Sequence, residues 1–238
     1  MPRSREAVLP GAVPQRIEMT LGPGRRLAGS SPVHVRTRRL VLRRVTSGDR
    51  DSVACLFASN EESFRVCWPL RDELDTAAAE RYIDVESRRR NGVCLAIVER
   101  ATGRVIGSAA LLIPNPVDRV PWIGVLVIEA DRQRIGFGSE AAEAIEQLVA
   151  GLGWGEIRLN VLATNPGARR FWERLGYREV SGTWRAYDGT TPGTVRLHKL
   201  TSFRSPQGDD VSGRPRMALP TASATTGAIG VRLYRACG

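Results

Sequence analysis

Two glycines at alternate positions, Gly136 and Gly138, join the most apolar run of the chain to its most regular amphipathic segment, and no other feature restricts the fold as much. The run from Val120 to Ile128 reads as a buried strand, Trp122–Ile128, set off upstream by the breaker Pro114-Asn115-Pro116. Downstream, Ala141, Ala144, Ile145, Leu148 and Val149 recur at helical spacing within Gly138–Leu152. The joint itself is Gln133-Arg134-Ile135-Gly136-Phe137-Gly138-Ser139-Glu140. Its glycines let the backbone turn sharply, so that successive N–H groups converge on one point. The positive end of the helix dipole adds to that field and Arg134 supplies a mobile cation, which suits a phosphate or pyrophosphate. It is no Walker loop, because the Lys-Ser/Thr pair is missing. It is no dinucleotide fingerprint either, because the third glycine and the ribose-binding acid are missing. Taken alone, the glycines also fit a plain strand–turn–helix joint.

The flanking chain spells out an α/β order. Leu40–Val45 reads as a strand, and Val53, Leu56 and Phe57 share one helical face. Thr76 is the predicted N-cap of a helix running to about Arg90, with Ala79, Tyr82 and Ile83 inward. Val93–Glu99 and Arg104–Leu112 make two strands around the turn Ala101-Thr102-Gly103. Glu156–Leu162 alternates as a strand, and Ala168, Phe171, Trp172 and Leu175 mark a core-facing helix closed by Gly176. Two last strands, about Tyr177–Tyr187 and Thr194–Leu200, flank the turn Asp188-Gly189. The order β-α-α-β-β-β-α-β-α-β-β predicts one α/β domain over residues 37–201, a mixed sheet flanked by helices.

The formal net charge of +10 comes from 35 basic and 25 acidic side chains, and it is unevenly spread. Residues 1–39 hold 8 Arg and 2 acids, and residues 202–238 hold 5 Arg and 2 acids, so the middle is balanced to within one charge. Residues 1–36 and 202–238 mix Pro, Gly, Ser and Arg without apolar periodicity and are expected to be disordered tails. Only Ile229–Tyr234 offers a short strand there. A near-neutral core argues against nucleic acid as its partner. Ribosome or nucleic-acid association through the Arg-rich tails stands as the alternative.

No apolar run approaches the roughly 20 residues that span a bilayer, and Pro10 and Pro14 interrupt any signal-peptide core. Cys55, Cys67, Cys94 and Cys237 are scattered and the only histidines are His34 and His198. That spacing fits neither a zinc site nor a disulfide framework, so no metal and a reducing cytoplasm are expected. Lys199 is the only lysine, read as a coding bias.

About 30 residues after the glycine joint comes Asn165-Pro-Gly-Ala-Arg-Arg-Phe171-Trp172-Glu-Arg-Leu175-Gly176-Tyr177. With Gln133, Gly136 and Gly138 it resembles the two ordered motifs of the GNAT superfamily of N-acetyltransferases, over roughly residues 38–201. Thr37-Arg-Arg-Leu40-Val-Leu-Arg43 and Ser139-Glu140-Ala141 look like the branch holding ribosomal-protein N-terminal acetyltransferases, which also holds antibiotic- and metabolite-modifying enzymes. The resemblance implies a GNAT domain using acetyl-CoA. Leu126, Val127 and Ile128 would offer backbone groups to the pantetheine arm and thioester, Arg134, Ile135, Gly136, Phe137, Gly138 and Ser139 would wrap the pyrophosphate, and Asn165 would bond the pantetheine.

The implied reaction is direct attack of a primary amine on acetyl-CoA in a ternary complex, the amine being a protein or peptide N-terminus or a small molecule. A homodimer is left open. The chain departs from the family pattern at three points. Trp172 stands where many relatives have an acid tyrosine, Asn160 where some have a base, and Trp122 where a branch glutamate is frequent. Glu129, just past the strand, and Asp188, in the last hairpin, are the remaining candidate general bases, each also explained as a solvated turn acid. A non-catalytic acyl-CoA-binding domain is therefore a further alternative. Cys94 reads as buried core, Trp68-Pro69 as a wedge or an acceptor wall, and Glu140 and Glu143 as acids complementing the helix dipole.

Overall fold

The computed structural model describes residues 18–21, 32–61, 75–89, 91–184 and 193–202. Among them are nine strands: β1 (Glu18–Leu21), β2 (Val33–Arg36), β3 (Leu40–Arg44), β4 (Gly92–Glu99), β5 (Val105–Leu112), β6 (Trp122–Ile128), β7 (Glu156–Leu162), β8 (Arg178–Trp184) and β9 (Thr194–Leu200). They form one sheet in the order β1-β2-β3-β4-β5-β6-β7-β9-β8. Every neighbouring pair is antiparallel except β6 with β7. Four helices flank it: α1 (Arg50–Ser59), α2 (Thr76–Arg88), α3 (Phe137–Gly151) and α4 (Pro166–Arg174). The mixed, mostly antiparallel sheet with flanking helices is the architecture expected from the sequence.

Strand alternation sorts the core into two layers. On one face Leu126 and Ile128 of β6 and Ile157, Leu159 and Val161 of β7 pack with Ala141, Ile145, Leu148 and Val149 of α3 and with Trp172 of α4. On the other, Cys94, Ala96, Ala110, Val125 and Val127 pack with Val53 and Phe57 of α1 and Ala78, Ala79 and Tyr82 of α2. A strand covered on both faces must read as a continuous apolar run, and all seven residues of β6 are buried.

The sheet starts earlier than residue 37. Val33–Arg36, expected within a disordered tail, pairs with β3 and buries Val33 and Val35 while His34 and Arg36 face out; Glu18–Leu21 pairs outside it. Four alternating residues give too short a pattern to stand out in sequence, and their burial comes from a core assembled elsewhere in the chain. The cap of α2 also differs. Asp75 rather than Thr76 is the N-cap, its side chain accepting from the Ala78 N–H at 2.8 Å, and Thr76 is the first helical residue. The turn Asp188-Gly189, Trp68-Pro69, Cys67, Cys237 and the segment 229–234 lie outside the described residues.

Candidate active site

Two strands that begin as partners come apart. β6 and β7 pair only at Trp122 with Arg158 and Ile123 with Leu159. Beyond that β6 stays with β5 as far as Ile128 opposite Gly107, and β7 stays with β9 as far as Leu162 opposite Thr194. The cause lies on the other side of β6. Ala110 faces Val125 while Leu111 faces Ile123, so Gly124 is an extra residue, a bulge that sharpens local twist where β7 departs. The result is a wedge opening from Gly124 and Asn160. Along each wall, alternate residues turn backbone N–H and C=O groups toward the gap. Leu126, Val127 and Ile128 lie along one wall with buried side chains.

Past the end of β6 the chain makes the glycine turn into α3. Gln133 braces it: its Nε2 donates to the Ile128 carbonyl and to Asn60 Oδ1, both at 2.8 Å. Asn60 Nδ2 donates to the same Ile128 carbonyl at 3.2 Å, so that carbonyl is engaged by side chains. Gly136, the N-cap, sits at φ 90°, where a side chain is strained, and Arg134 accepts the same region at φ 61°. Arg134, Ile135 and Gly136 are exposed. The first bond of α3 runs from the Glu140 N–H to the Gly136 carbonyl at 3.1 Å, which leaves the N–H groups of Phe137, Gly138 and Ser139 unused by the helix. Unused donors, the dipole end and a backbone with no side chain at Gly136 together form a cradle of the kind that suits an anion. Gly138 lies beside α4, where an added Cβ would make ordinary contact with the Phe171 ring at 3.5 Å.

The cradle is anchored from the far end of the sequence. Glu140 is buried and accepts from Thr37 Oγ1 at 2.6 Å, the Arg39 N–H at 2.7 Å and Arg39 Nε at 2.6 Å. Arg39 Nη1 donates to the Ile135 carbonyl at 2.9 Å, and its guanidinium lies 4.4 Å over the Phe137 ring. Burial pushes the Glu140 carboxyl up, but the bonds from Thr37 and Arg39 outweigh it and hold it below its ordinary value. Dipole complementarity alone, expected from the sequence, therefore does not account for Glu140. It is the hub of an ion pair that ties the glycine turn to the β2–β3 turn at Thr37 and Arg39. Thr37 and Arg39 stand out in sequence only as part of a branch resemblance and Asn60 not at all, because each acts across the fold.

The second motif folds as a helix start. Asn165 is the N-cap of α4, its Oδ1 accepting from the Ala168 N–H at 2.9 Å, which commits the oxygen to the helix. Trp172 is fully buried between Phe171 and Tyr177, ring centroids 4.9 and 5.0 Å away. Glu129 lies beyond the end of β6, paired with Arg104 at 3.3 Å, and roughly 16 Å along the strand from Gly124 at about 3.3 Å per residue. Asp188 is outside the described residues. Cys94 is buried, and burial pushes its thiol up to about 12. Among the described residues no helix is long and apolar enough to cross a membrane, and no group of three or more His, Cys, Asp or Glu is placed to hold a metal.

Residues 39–178 match the family model described as "Acetyltransferase (GNAT) domain". The chain belongs to the GNAT acetyltransferase family. It is similar in fold to a GCN5-related N-acetyltransferase from Brucella melitensis, with TM-score 0.58, 23% identity and 81% and 84% of the two chains covered. A spermidine N-acetyltransferase from Vibrio cholerae, solved with CoA and spermine, gives TM-score 0.56 and 19% identity over 68% and 96%. The ribosomal-protein-S5-alanine acetyltransferase from Vibrio fischeri gives TM-score 0.56 and 14% identity over 71% and 97%. No curated protein matches the sequence. Two structures named for different acceptors are equally similar, so likeness of fold does not choose the acceptor.

Proposed function

We propose that the chain is an acetyl-CoA-dependent N-acetyltransferase acting on a primary amine by direct attack in a ternary complex. The observation that carries this reading is the wedge between β6 and β7, with its free strand edges, ending at the anion cradle of α3. The two features suit the two parts of one elongated co-substrate. The cradle's N–H groups from Phe137 to Ser139, with Arg134, fit a pyrophosphate, and the wall at Leu126–Ile128, apart from the engaged Ile128 carbonyl, offers backbone groups to an amide-bearing arm. Asn165, with its oxygen committed to the helix, retains Nδ2 for that arm. Acetyl-CoA supplies an activated acyl group.

The protein's share of the chemistry is positioning, desolvation and polarisation. Backbone N–H groups on the β6 wall, aimed into the gap, would stabilise the oxyanion developing on the carbonyl. Holding both reactants in one cleft removes the entropic cost of bringing them together. An amine with pKa of about 10 must first lose a proton, and neither Asn160 nor Trp172 titrates to take or supply one. We assign that proton to water. The C–N bond then forms to give the oxyanion, and the C–S bond breaks as that oxyanion collapses. The thiolate, of pKa about 8.5, leaves without an acid, and the second proton of the attacking nitrogen also passes to water. The scattered cysteines, with Cys55 and Cys94 free, support a reducing cytoplasm as the compartment.

An acetyl-CoA turnover assay with the full chain and a panel of amines, read by free thiol and by mass of the product, tests the reading. Thiol release that depends on amine is expected. Binding of acetyl-CoA without amine-dependent thiol release would establish the non-catalytic alternative instead.

A further inference from the structure

Asn160 is fully buried, and neither its Oδ1 nor its Nδ2 has a hydrogen-bond partner. A dry, unpaired carboxamide is costly, and such groups persist where something outside the chain completes them. Its position says where that partner comes from. Asn160 is the first residue of β7 beyond its pairing with β6, at the mouth of the wedge. Leu159 and Val161 face the core under α3, so Asn160 stands on the opposite face, that of Val125, α1 and α2. The anion cradle belongs to the α3 layer. Asn160 therefore meets what approaches from the other side, which is the acceptor.

The surrounding charges narrow the acceptor. Arg196 stands opposite Asn160 on β9, its guanidinium 4.9 Å over the Trp122 ring. Arg158 bonds Asp118 at 3.0 Å and Glu156 at 2.7 Å, and His198 lies 3.2 Å from Glu156. Each acid is thus already engaged by a cationic or imidazole partner, so neither stands free to receive the second ammonium of a polyamine.

We propose that Asn160 selects an acceptor whose amine sits on the carbon next to a carbonyl, as at a peptide N-terminus. The amine N–H donates to Oδ1, and Nδ2 donates to the carbonyl. A simple alkyl amine satisfies only the oxygen and leaves Nδ2 buried and unpaired. The proposal rests on the acetyl-transfer reading above and goes further by naming the acceptor class and the residue that reads it.

Steady-state kinetics with acetyl-CoA and two acceptors, a dipeptide amide and 1,4-diaminobutane, test it. The wild-type chain should prefer the dipeptide amide by at least about 10-fold in kcat/KM, the scale expected when a site built for a polar group goes unpaired. Asn160→Leu should raise the dipeptide KM about 10-fold and leave the acetyl-CoA KM within about 2-fold. Asn160→Asp keeps an acceptor oxygen, loses the donor and adds negative charge, so it should shift preference toward the diamine. Equal wild-type use of both acceptors, or an equal loss for both in Asn160→Leu, would overturn the proposal. A rise confined to the acetyl-CoA KM would also overturn it, by assigning Asn160 to the co-substrate. Absence of thiol release with every amine would instead sink the transfer reading, and this one with it. Should Asn160→Leu fail to fold, the wild-type preference and Asn160→Asp decide.

Discussion

Arg39 and Glu140, 101 residues apart, are joined twice, by the Arg39 backbone N–H at 2.7 Å and by its guanidinium Nε at 2.6 Å. The same guanidinium holds the Ile135 carbonyl, so one side chain fixes both the start of α3 and the turn before it. Removing one partner of a buried pair strands the other. Glu140→Gln should cost about 2 kcal/mol by chemical denaturation and weaken acetyl-CoA binding by calorimetry. The pH sign follows from the depressed carboxyl. Its stabilisation is complete above the ordinary value of 4.5 and is lost as pH falls through the lower folded value, a dependence that Glu140→Gln should remove.

Gly136 holds a left-handed conformation, and a Cβ there would lie 3.0 Å from Arg39 Nη2. Gly136→Ala should therefore strain the turn by about 1–2 kcal/mol and push on the clamp that fixes it. The expected outcome is roughly 10-fold weaker acetyl-CoA binding with the fold retained, about the ratio that 1.4 kcal/mol gives. Isothermal titration and far-UV circular dichroism check the two halves.

The only lysine is not an idle survivor of coding bias, because Lys199 Nζ reaches the buried Glu146 at 2.7 Å. Burial pushes the Glu146 carboxyl up, opposed by Lys199. Lys199→Met should destabilise the domain by about 2–4 kcal/mol, since the carboxylate stays behind without its cation. The double variant Lys199→Met, Glu146→Gln should recover most of that loss in thermal unfolding.

Glu86, buried on α2, has its carboxyl raised to about 7, chiefly by burial and against the pull of Arg89. A raised acid favours the fold fully below its ordinary value of 4.5 and loses that contribution as pH climbs through about 7. Wild-type stability should therefore fall relative to Glu86→Gln between those limits, by about 1–3 kcal/mol. Urea denaturation of both chains at pH 5 and pH 8 measures it, and parallel curves would refute it.

Part of this molecule is legible in residues that lie close together along the chain. The apolar run of β6, the helical spacing of α3, the glycines of the turn and the hairpin at Thr102-Gly103 each follow from neighbours a few residues apart. So do the free donors at the start of α3, because they belong to one short segment. Whatever depends on distant partners emerges only with packing. Glu140 reads as an ordinary first-turn acid until Thr37 and Arg39 arrive across the fold. Val33–Arg36 reads as part of a tail until β3 offers it an edge. Asn160 reads as one polar residue in an alternating strand. Only the bulge at Gly124, which turns β6 away from β7, places that carboxamide dry and unpaired at the mouth of a cleft. Spacing along the chain carries the first kind of information. The second kind exists only once packing has closed the loops between the partners.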